Sequence, residues 1–99
     1  PVIEIAHNAG LPVIVDAAAQ LPPRSNLTEI TALGADLVVF SGGKGLAGPQ
    51  SSGLILGRQD LVRACALNGN PNSAIGRGMK VGKEEIAGLL TALAVHGAR

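Results

Sequence analysis

The stretch ADLVVFSGGKGLAGPQSSG, at positions 35–53, decides how this 99-residue chain folds. Its apolar run at 37–40 predicts a buried strand, and the loop SGGKG at 41–45 follows directly. A lysine among glycines at the end of an apolar strand is unusual, since lysine prefers solvent. Burial there would disfavour the charged form of the amine, and a neutral amine can act as a nucleophile or form a Schiff base. We therefore interpret Lys44 as the carrier of a cofactor aldehyde. A lysine in a solvated turn is the alternative, and this stretch alone leaves both open.

A length of 99 residues limits the chain to one small domain, and its composition favours the α/β class. Of its residues, 46% are hydrophobic, 14 are glycine, and Phe40 is the one aromatic side chain. An aliphatic, glycine-rich chain of this kind is typical of a parallel sheet covered on both faces by helices. The sequence begins at Pro1 and ends within an apolar helical pattern, so we expect a fragment of a longer chain.

Charge and cysteine content exclude several classes of function. The net charge is +1 with both signs interspersed, which provides no charged surface for nucleic acid or membrane binding. Cys65 is the single cysteine, so an internal disulfide is excluded and a reducing compartment is favoured. No signal peptide and no run of 18 apolar residues occurs. These features predict a cytoplasmic location.

Apolar spacing predicts helices and strands around the lysine stretch. The first helix should bury Val2, Ile5, Ala6 and Ala9 and end near Gly10. Further predicted elements are a strand at 13–15, a helix after Ser25 with Leu27, Ile30 and Leu33 inward, a strand at 53–57, an amphipathic segment at 58–67, a loop at 68–80, and a final helix from Gly82 with Ile86, Leu89, Leu90 and Leu93 inward. Asn26 and Glu29 have the spacing of a capping box.

The strand at 53–57 follows Gly45 after seven residues, 46–52. A helical crossover between parallel strands needs a dozen or more residues. We therefore expect this strand to be antiparallel to its neighbour or to be reached by a long loop.

Several familiar motifs fail on their structural context. GxGxxG is matched at 43–48, but PQSSG at 49–53 prevents the helix that must begin there to bind pyrophosphate. A Walker A loop fails because Gly45 follows the lysine where Ser or Thr is required. His7, His96 and the lone cysteine complete no metal-ligand spacing, so we predict no metal site.

A carboxylate and an amine remain as the chemical pair. Asp16 follows the strand at 13–15, and Lys44 comes 28 positions later, after the next strand. Parallel neighbouring strands would bring both to one sheet edge, where α/β proteins bind ligands. A pyridine ring between them explains both residue types, because the carboxylate keeps the ring nitrogen protonated and the amine binds an aldehyde. The Ser41 hydroxyl could donate a hydrogen bond to a phosphate group. The alternative for Asp16 is that it only caps the turn that follows the strand.

The segments VDAAAQLPP (15–23), GADLVVFSGGKGLAGPQSSGLILGR (34–58) and IGRGMKVGKEEIAGLL (75–90) resemble pyridoxal-phosphate enzymes of fold type I. Within that group they are similar to the family related to L-seryl-tRNA(Sec) selenium transferase, which includes D-glucosaminate-6-phosphate ammonia-lyase. The resemblance implies that 1–68 form the C-terminal half of the cofactor-binding large domain. Its sheet would be mostly parallel and flanked by helices, with the last strand antiparallel. Residues 69–99 would form a connecting loop and the helix leading to the small domain.

The resemblance also implies roles for individual residues. Lys44 would be the Schiff-base lysine, and Asp16 the partner of the pyridine nitrogen of pyridoxal 5'-phosphate. Ala18 would pack beneath the ring, Ser41 would contact the phosphate, and Gln50 would lie near the phosphate or a subunit interface.

Two positions are less well defined by the resemblance. Ala19 stands where many relatives place a His, Gln or Arg against the ring hydroxyl, and Gln20 comes one residue later. Arg77 lies in a glycine-flanked loop, where its bidentate guanidinium is a candidate for binding a substrate carboxylate or phosphate. A solvated loop arginine is the alternative.

The function implied is a pyridoxal-phosphate-dependent lyase or transferase. It would eliminate or replace a β substituent of an amino acid or amino sugar acid, with an ammonia-lyase-like reaction favoured. L-seryl-tRNA(Sec) selenium transfer, transamination and a non-catalytic scaffold of the same fold stay open, although nothing in the sequence supplies an RNA-binding surface. Active sites in this fold form between subunits, so a homodimer or higher homo-oligomer is expected, and the fragment alone should be inactive.

Overall fold

The computed structural model describes residues 1–98, and Arg99, the last residue of the expected interdomain segment, lies outside them. The described chain is an α/β structure built on one sheet. Its elements are α1 (Val2–Asn8), β1 (Ile14–Asp16), α2 (Asn26–Ala32), β2 (Leu37–Ser41), β3 (Gly53–Gly57), α3 (Gln59–Leu67), a short 3-10 helix (Arg77–Met79) and α4 (Lys83–Ala98).

The sheet has the order β1-β2-β3, with β2 in the centre. β1 and β2 are parallel, and their register sets Asp16 beside Val39. β3 is antiparallel to β2 and pairs Gly53 with Ser41. The prediction of an antiparallel strand after the lysine loop is therefore confirmed, because an 11-residue return from Ser41 is too short for a crossover helix.

The hydrophobic core lies on one face of this sheet. Val38 and Phe40 of β2 are 0% and 3% exposed, and their burial is the main apolar contribution of the central strand. The residues packed around them come from the two outer strands, the loops and three helices: Ile3, Val15, Ala17, Leu21, Leu27, Ile30, Ala35, Leu46, Leu54, Leu56, Leu89 and Leu93.

The opposite face of the sheet is less covered than the composition predicts. Strand alternation sets Ile14, Val39 and Ile55 on this face. Ile14 and Ile55 are 66% and 43% exposed, since α1, α2 and α4 all supply side chains to the other face. Leu37 of the same face is nevertheless 7% exposed, and α3 contacts β3, so this face is covered in part by the residues that the structure describes.

Helical periodicity identifies the helices but not always the buried side. In α1, Val2 and Ile5 are 73% and 68% exposed, whereas Ile3 packs against the core. That prediction is wrong because α1 is apolar on more than one side, so spacing alone does not select a face. In α4, Leu89 is buried as predicted, but Leu90 is exposed.

The start of α2 differs from the predicted capping box. Ser25 occupies the N-cap position and makes no side-chain cap hydrogen bond. Asn26, the first helical residue, instead donates from Nδ2 to the Gln20 carbonyl at 2.8 Å. The Asn26 side chain thus ties α2 back to the segment that follows β1.

Asp36 organises the edge of the sheet where β2 begins. This buried carboxylate accepts hydrogen bonds from His7 Nε2 and the Val13 amide, both at 2.7 Å, and from Arg58 Nη1 at 3.2 Å. These partners, the His7 hydrogen bond first, lower the pKa of Asp36 from 3.8 to about 2. Arg58 Nη2 also forms an ion pair with Asp60 Oδ2 at 2.6 Å. The network joins α1, the approach to β1, and the turn between β3 and α3.

Candidate active site

The predicted acid and amine lie at the same edge of the sheet. Asp16 is the last residue of β1, and Lys44 comes three residues after Ser41, which ends β2. Since β1 and β2 are parallel and adjacent, their carboxyl ends meet at one edge. The predicted juxtaposition of these two strand ends is confirmed.

Register also determines which face the polar side chains occupy. Asp16 is level with Val39, and Ser41 is two residues further along β2. Side chains alternate with a period of two, so Asp16 and Ser41 lie on the same face. That face is opposite the one that carries Val38 and Phe40, and both polar residues are at least partly accessible.

The turn after β1 fixes the Asp16 carboxylate. The Ala17 amide continues the sheet by donating to the Val39 carbonyl at 2.9 Å. The Ala18 amide then donates to Asp16 Oδ1 at 3.1 Å, an Asx-turn in which the backbone holds the side chain. Ala17 is fully buried and Ala18 is half-buried, so small side chains let this turn pack closely.

The loop that carries Lys44 is closed by its own backbone. The Gly42 amide donates to the Ser52 carbonyl at 2.9 Å, and the Gly48 amide donates to the Gly42 carbonyl at 2.7 Å. The Ala47 amide donates to the Lys44 carbonyl at 2.9 Å, and Ala47 has a left-handed φ of +57°. These bonds close the loop on either side of the Gly43–Lys44 peptide unit, in a segment that lacks regular structure.

Glycine at position 45 brings the two halves of the site into contact. A Cβ added to Gly45 would lie 2.6 Å from both the Cβ and the carbonyl oxygen of Leu21. Leu21 is buried and belongs to the segment that follows Asp16. Only glycine permits this approach, and through it the lysine loop packs directly on the aspartate segment.

Helix α4 supports the same loop from another side. A Cβ added to Gly88 of α4 would lie 2.8 Å from Pro49 Cγ. A Cβ added to Gly48 would lie 3.3 Å from Ala92 of α4. The loop is therefore packed between the Leu21 segment and α4, a contact that the spacing of the glycines alone did not reveal.

The side chains of Lys44 and Asp16 are exposed. The residues that the structure describes therefore do not bury Lys44 at the strand end. Neither residue forms an ion pair with any residue that the structure describes. The amine and the carboxylate are both accessible to a ligand at this edge.

The two remaining candidates make local contacts. Gln50 donates from Nε2 to the Gly43 carbonyl at 3.0 Å. Arg77 begins the 3-10 helix, is exposed, and donates from Nη1 to the Pro71 carbonyl at 2.8 Å. Part of the Arg77 guanidinium therefore stabilises its own loop.

Other features of the described residues lie away from this edge. A hollow of about 610 Å³ between α1 and the end of α2 is lined by Glu4, His7 and Leu33, among others, and by no residue of the lysine loop. Within residues 1–98, no cluster of three His, Cys, Asp or Glu side chains could bind a metal ion. None of the helices described there has the length and apolar character needed to cross a membrane.

Comparison with known proteins identifies the relatives of the chain. Residues 2–97 match the family model described as L-seryl-tRNA selenium transferase. The chain is 48% identical over 91 residues to a 5'-C-glycyluridine monooxygenase-decarboxylase from Streptomyces sp, covering 92% of this chain and 21% of that protein. It is 41% identical over 91 residues to the D-glucosaminate-6-phosphate ammonia lyase of Salmonella typhimurium, covering 92% and 22%.

Two further similarities bear on cofactor and fold. A protein from Methanothermobacter thermautotrophicus, named as pyridoxal phosphate-dependent, is 47% identical over 64 residues, covering 62% of this chain and 17% of that protein. The solved structure of a D-glucosaminate-6-phosphate ammonia-lyase superposes with a TM-score of 0.83 at 38% identity, covering 98% of this chain and 24% of that one. The chain thus spans about a fifth of the length of the curated relatives it matches.

Proposed function

The chain belongs to the L-seryl-tRNA selenium transferase family, and from that premise we propose that it carries the lysine-bearing part of a pyridoxal-phosphate-dependent active site. The observation that supports this is the meeting of Asp16 and Lys44 at one sheet edge, both accessible and neither ion-paired with a described residue. A relative named as pyridoxal phosphate-dependent supports the choice of cofactor.

The residues at this edge fit the three polar parts of pyridoxal phosphate. A carboxylate suits the protonated pyridine nitrogen, a primary amine suits the aldehyde, and a hydroxyl suits the phosphate. Asp16, Lys44 and Ser41 supply these groups, and the half-buried Ala18 offers a small surface beneath a flat ring. Gln50 is proposed to act beside them, near the phosphate or a subunit interface.

Each residue has a separate task in the proposed site. Lys44 would hold the cofactor covalently and, as a free amine once a substrate amine has taken its place, would move protons at the substrate carbon next to that amine. Asp16, oriented by the Ala18 amide, holds a proton on the ring nitrogen. Pyridoxal phosphate, when bound there, would supply an electron sink for negative charge at the substrate carbon. Arg77 retains donors beyond its Pro71 bond with which to bind a substrate carboxylate or phosphate.

We propose a small amino acid or amino sugar acid as substrate and elimination or replacement of a β substituent as the reaction. The 41% identity to an ammonia lyase supports this class. A second candidate is oxidative decarboxylation, favoured by the 48% identity to a protein named monooxygenase-decarboxylase. The family name also keeps selenium transfer to seryl-tRNA as a candidate, although the net charge of only +1 gives the sequence no strong bias toward RNA.

The domain boundaries and partners are proposals of the same kind. Residues 1–68 would complete the cofactor-binding domain of a longer chain, and 69–99 would lead to its small domain. Several large apolar side chains of the latter segment are exposed, including Ile75 at 87%, Met79 at 72% and Leu90 at 62%. Such exposure supports burial against further parts of the protein or a second subunit.

Borohydride trapping on the full-length protein tests the cofactor role. Pyridoxal phosphate is added, the adduct is reduced, and the labelled peptide is identified by mass spectrometry. We expect the label on Lys44 and none after Lys44→Ala. Lys83→Ala is the matched control, because Lys83 is also an exposed lysine after a glycine, at the start of α4.

The reaction class is tested with the same preparation. Ammonia release from an amino sugar acid without oxygen consumption supports the lyase, whereas substrate-dependent oxygen uptake supports oxidative decarboxylation. A label on another lysine, or no label at saturating cofactor, would contradict the proposed site.

A further inference from the structure

We propose that Gln50 is a positioning residue for Lys44: its side-chain amide holds the Gly43 carbonyl and so fixes the peptide unit from which the lysine projects. The hydrogen bond between Gln50 and Gly43 is observed in the structure. Its importance for catalysis rests on the proposed function of Lys44. This role concerns the lysine loop and is separate from the proposed position of Gln50 near the phosphate or a subunit interface.

The geometry couples Gln50 to the residue directly before the lysine. Gln50 Nε2 donates to the Gly43 carbonyl oxygen at 3.0 Å. A Cβ added to Gly43 would lie 2.7 Å from Gln50 Oε1 and 2.6 Å from Gln50 Cα. The Gln50 side chain therefore lies directly against the Gly43 backbone, and glycine at position 43 makes room for it.

The Gly43 carbonyl belongs to the peptide unit that joins Gly43 to Lys44. A peptide unit is planar, so fixing its oxygen also fixes the direction of the following Cα. Glycine has unusual backbone freedom, and Lys44 stands between Gly43 and Gly45. Without a partner for this carbonyl, the lysine would sample several backbone orientations.

Among the described residues, the other contacts of the loop do not involve the Gly43 carbonyl, so the Gln50 side chain is what holds this peptide unit. Backbone hydrogen bonds involve the Gly42 amide and carbonyl, the Lys44 carbonyl and the Gly48 amide. Gly45 is held by packing on Leu21. The Gly43 carbonyl is held by the Gln50 side chain, which comes from the segment returning to β3.

Exposure distinguishes positioning from general stabilisation. Gln50 is exposed, and substitutions at exposed sites usually change global stability little. Its loss should therefore loosen the lysine loop without lowering the stability of the whole protein. Loss of a residue that only supports the fold would change the lysine loop and the stability of the whole protein together, or would change neither of them.

Hydrogen exchange of the cofactor-free full-length protein tests the contact. Gln50→Glu keeps the size but loses the donor, and Gln50→Ala removes the side chain. Gln59→Glu is the matched control, since Gln59 is an exposed glutamine at the start of α3, beyond the other end of β3. We expect exchange in peptides covering 43–48 to be roughly three- to ten-fold faster in both Gln50 variants, the range that one hydrogen bond contributes. Exchange in Gln59→Glu and the urea midpoints should match wild type.

A spectroscopic measurement on the cofactor-loaded protein tests the positioning role. We expect the pH at which the visible band of Lys44-bound cofactor titrates to shift by about 0.5–1 unit in the Gln50 variants. Unchanged exchange in both variants, or faster exchange with an unmoved titration, would overturn the role of Gln50. Failure of wild-type protein to bind pyridoxal phosphate would instead overturn the proposed function, and the exchange result would still report on the contact.

Discussion

The two edges of the sheet use charged residues in opposite ways. Where β2 begins, Asp36 is buried and bound by His7, Val13 and Arg58. Where β1 and β2 end, Asp16 and Lys44 are exposed and form no ion pair with a described residue. The first edge joins secondary-structure elements to one another, whereas the second leaves its charges available.

The edge that leaves its charged side chains accessible nevertheless has a closely packed backbone. At the edge with Lys44, glycines allow contacts closer than any side chain would permit, against Leu21, Gln50, Ser52 and α4. The backbone is thus held by packing and hydrogen bonds while the charged groups stay accessible. An active site needs this combination, because a ligand must find charges that are free and a geometry that is fixed.

Replacing Lys44 should give the largest functional effect and almost no structural effect. In the full-length protein, Lys44→Ala should lower turnover by at least 10²–10⁴-fold, the range for losing a proton-transfer group. The free energy of unfolding should change by less than about 0.5 kcal/mol, because the side chain is exposed. Steady-state kinetics and urea unfolding measure the two quantities. A stability loss as large as that of Asp36→Asn would break the contrast between the edges.

Filling the contact between the two halves of the site should have an intermediate effect. Gly45→Ala adds a Cβ that would lie 2.6 Å from Leu21, and overpacking of this kind costs about 1–3 kcal/mol. We expect lower stability by urea unfolding and weaker cofactor trapping at Lys44. Gly78→Ala is the control, since a Cβ there meets nothing within 4 Å. Equal stability of the two variants would show that the Gly45 contact does not hold the loop.

The meeting of the two strand ends could be predicted from the sequence because strand pairing follows from local rules. The short return from Gly45 to Gly53 favoured an antiparallel pair over a helical crossover, and the acid and amine after two strands indicated one edge. The contacts that hold the loop could not be found this way. The packing of Gly45 on Leu21 joins segments more than 20 residues apart, and glycine patterns do not specify partners.

Burial was the other failure of sequence reasoning, and its cause is physical. Val2 and Ile5 of α1 are apolar yet exposed, and the Ile14 side chain on β1 is uncovered as well. Periodicity identifies an apolar side of a helix but does not tell whether the described residues cover it. The Asp36 network was missed because His7 and Arg58 lie far from it in sequence.

The smallest expected effect is a pH dependence that belongs to the first edge alone. The pKa of Asp36 is about 2 in the folded chain against an ordinary 3.8, chiefly through the His7 hydrogen bond. As the pH falls from about 4 to about 2, the unfolded state binds the proton first, so this stabilisation is present above that window and lost through it. The urea midpoint of the full-length protein should therefore fall further in wild type than in Asp36→Asn. In Asp60→Asn the urea midpoint should fall with pH almost as far as in wild type, since Asp60 is exposed and contacts only Arg58 among the residues of the network. Parallel curves for wild type and Asp36→Asn would mean that the hydrogen bonds to Asp36 contribute nothing to the pH dependence of stability, and the contrast between the two edges would then be lost.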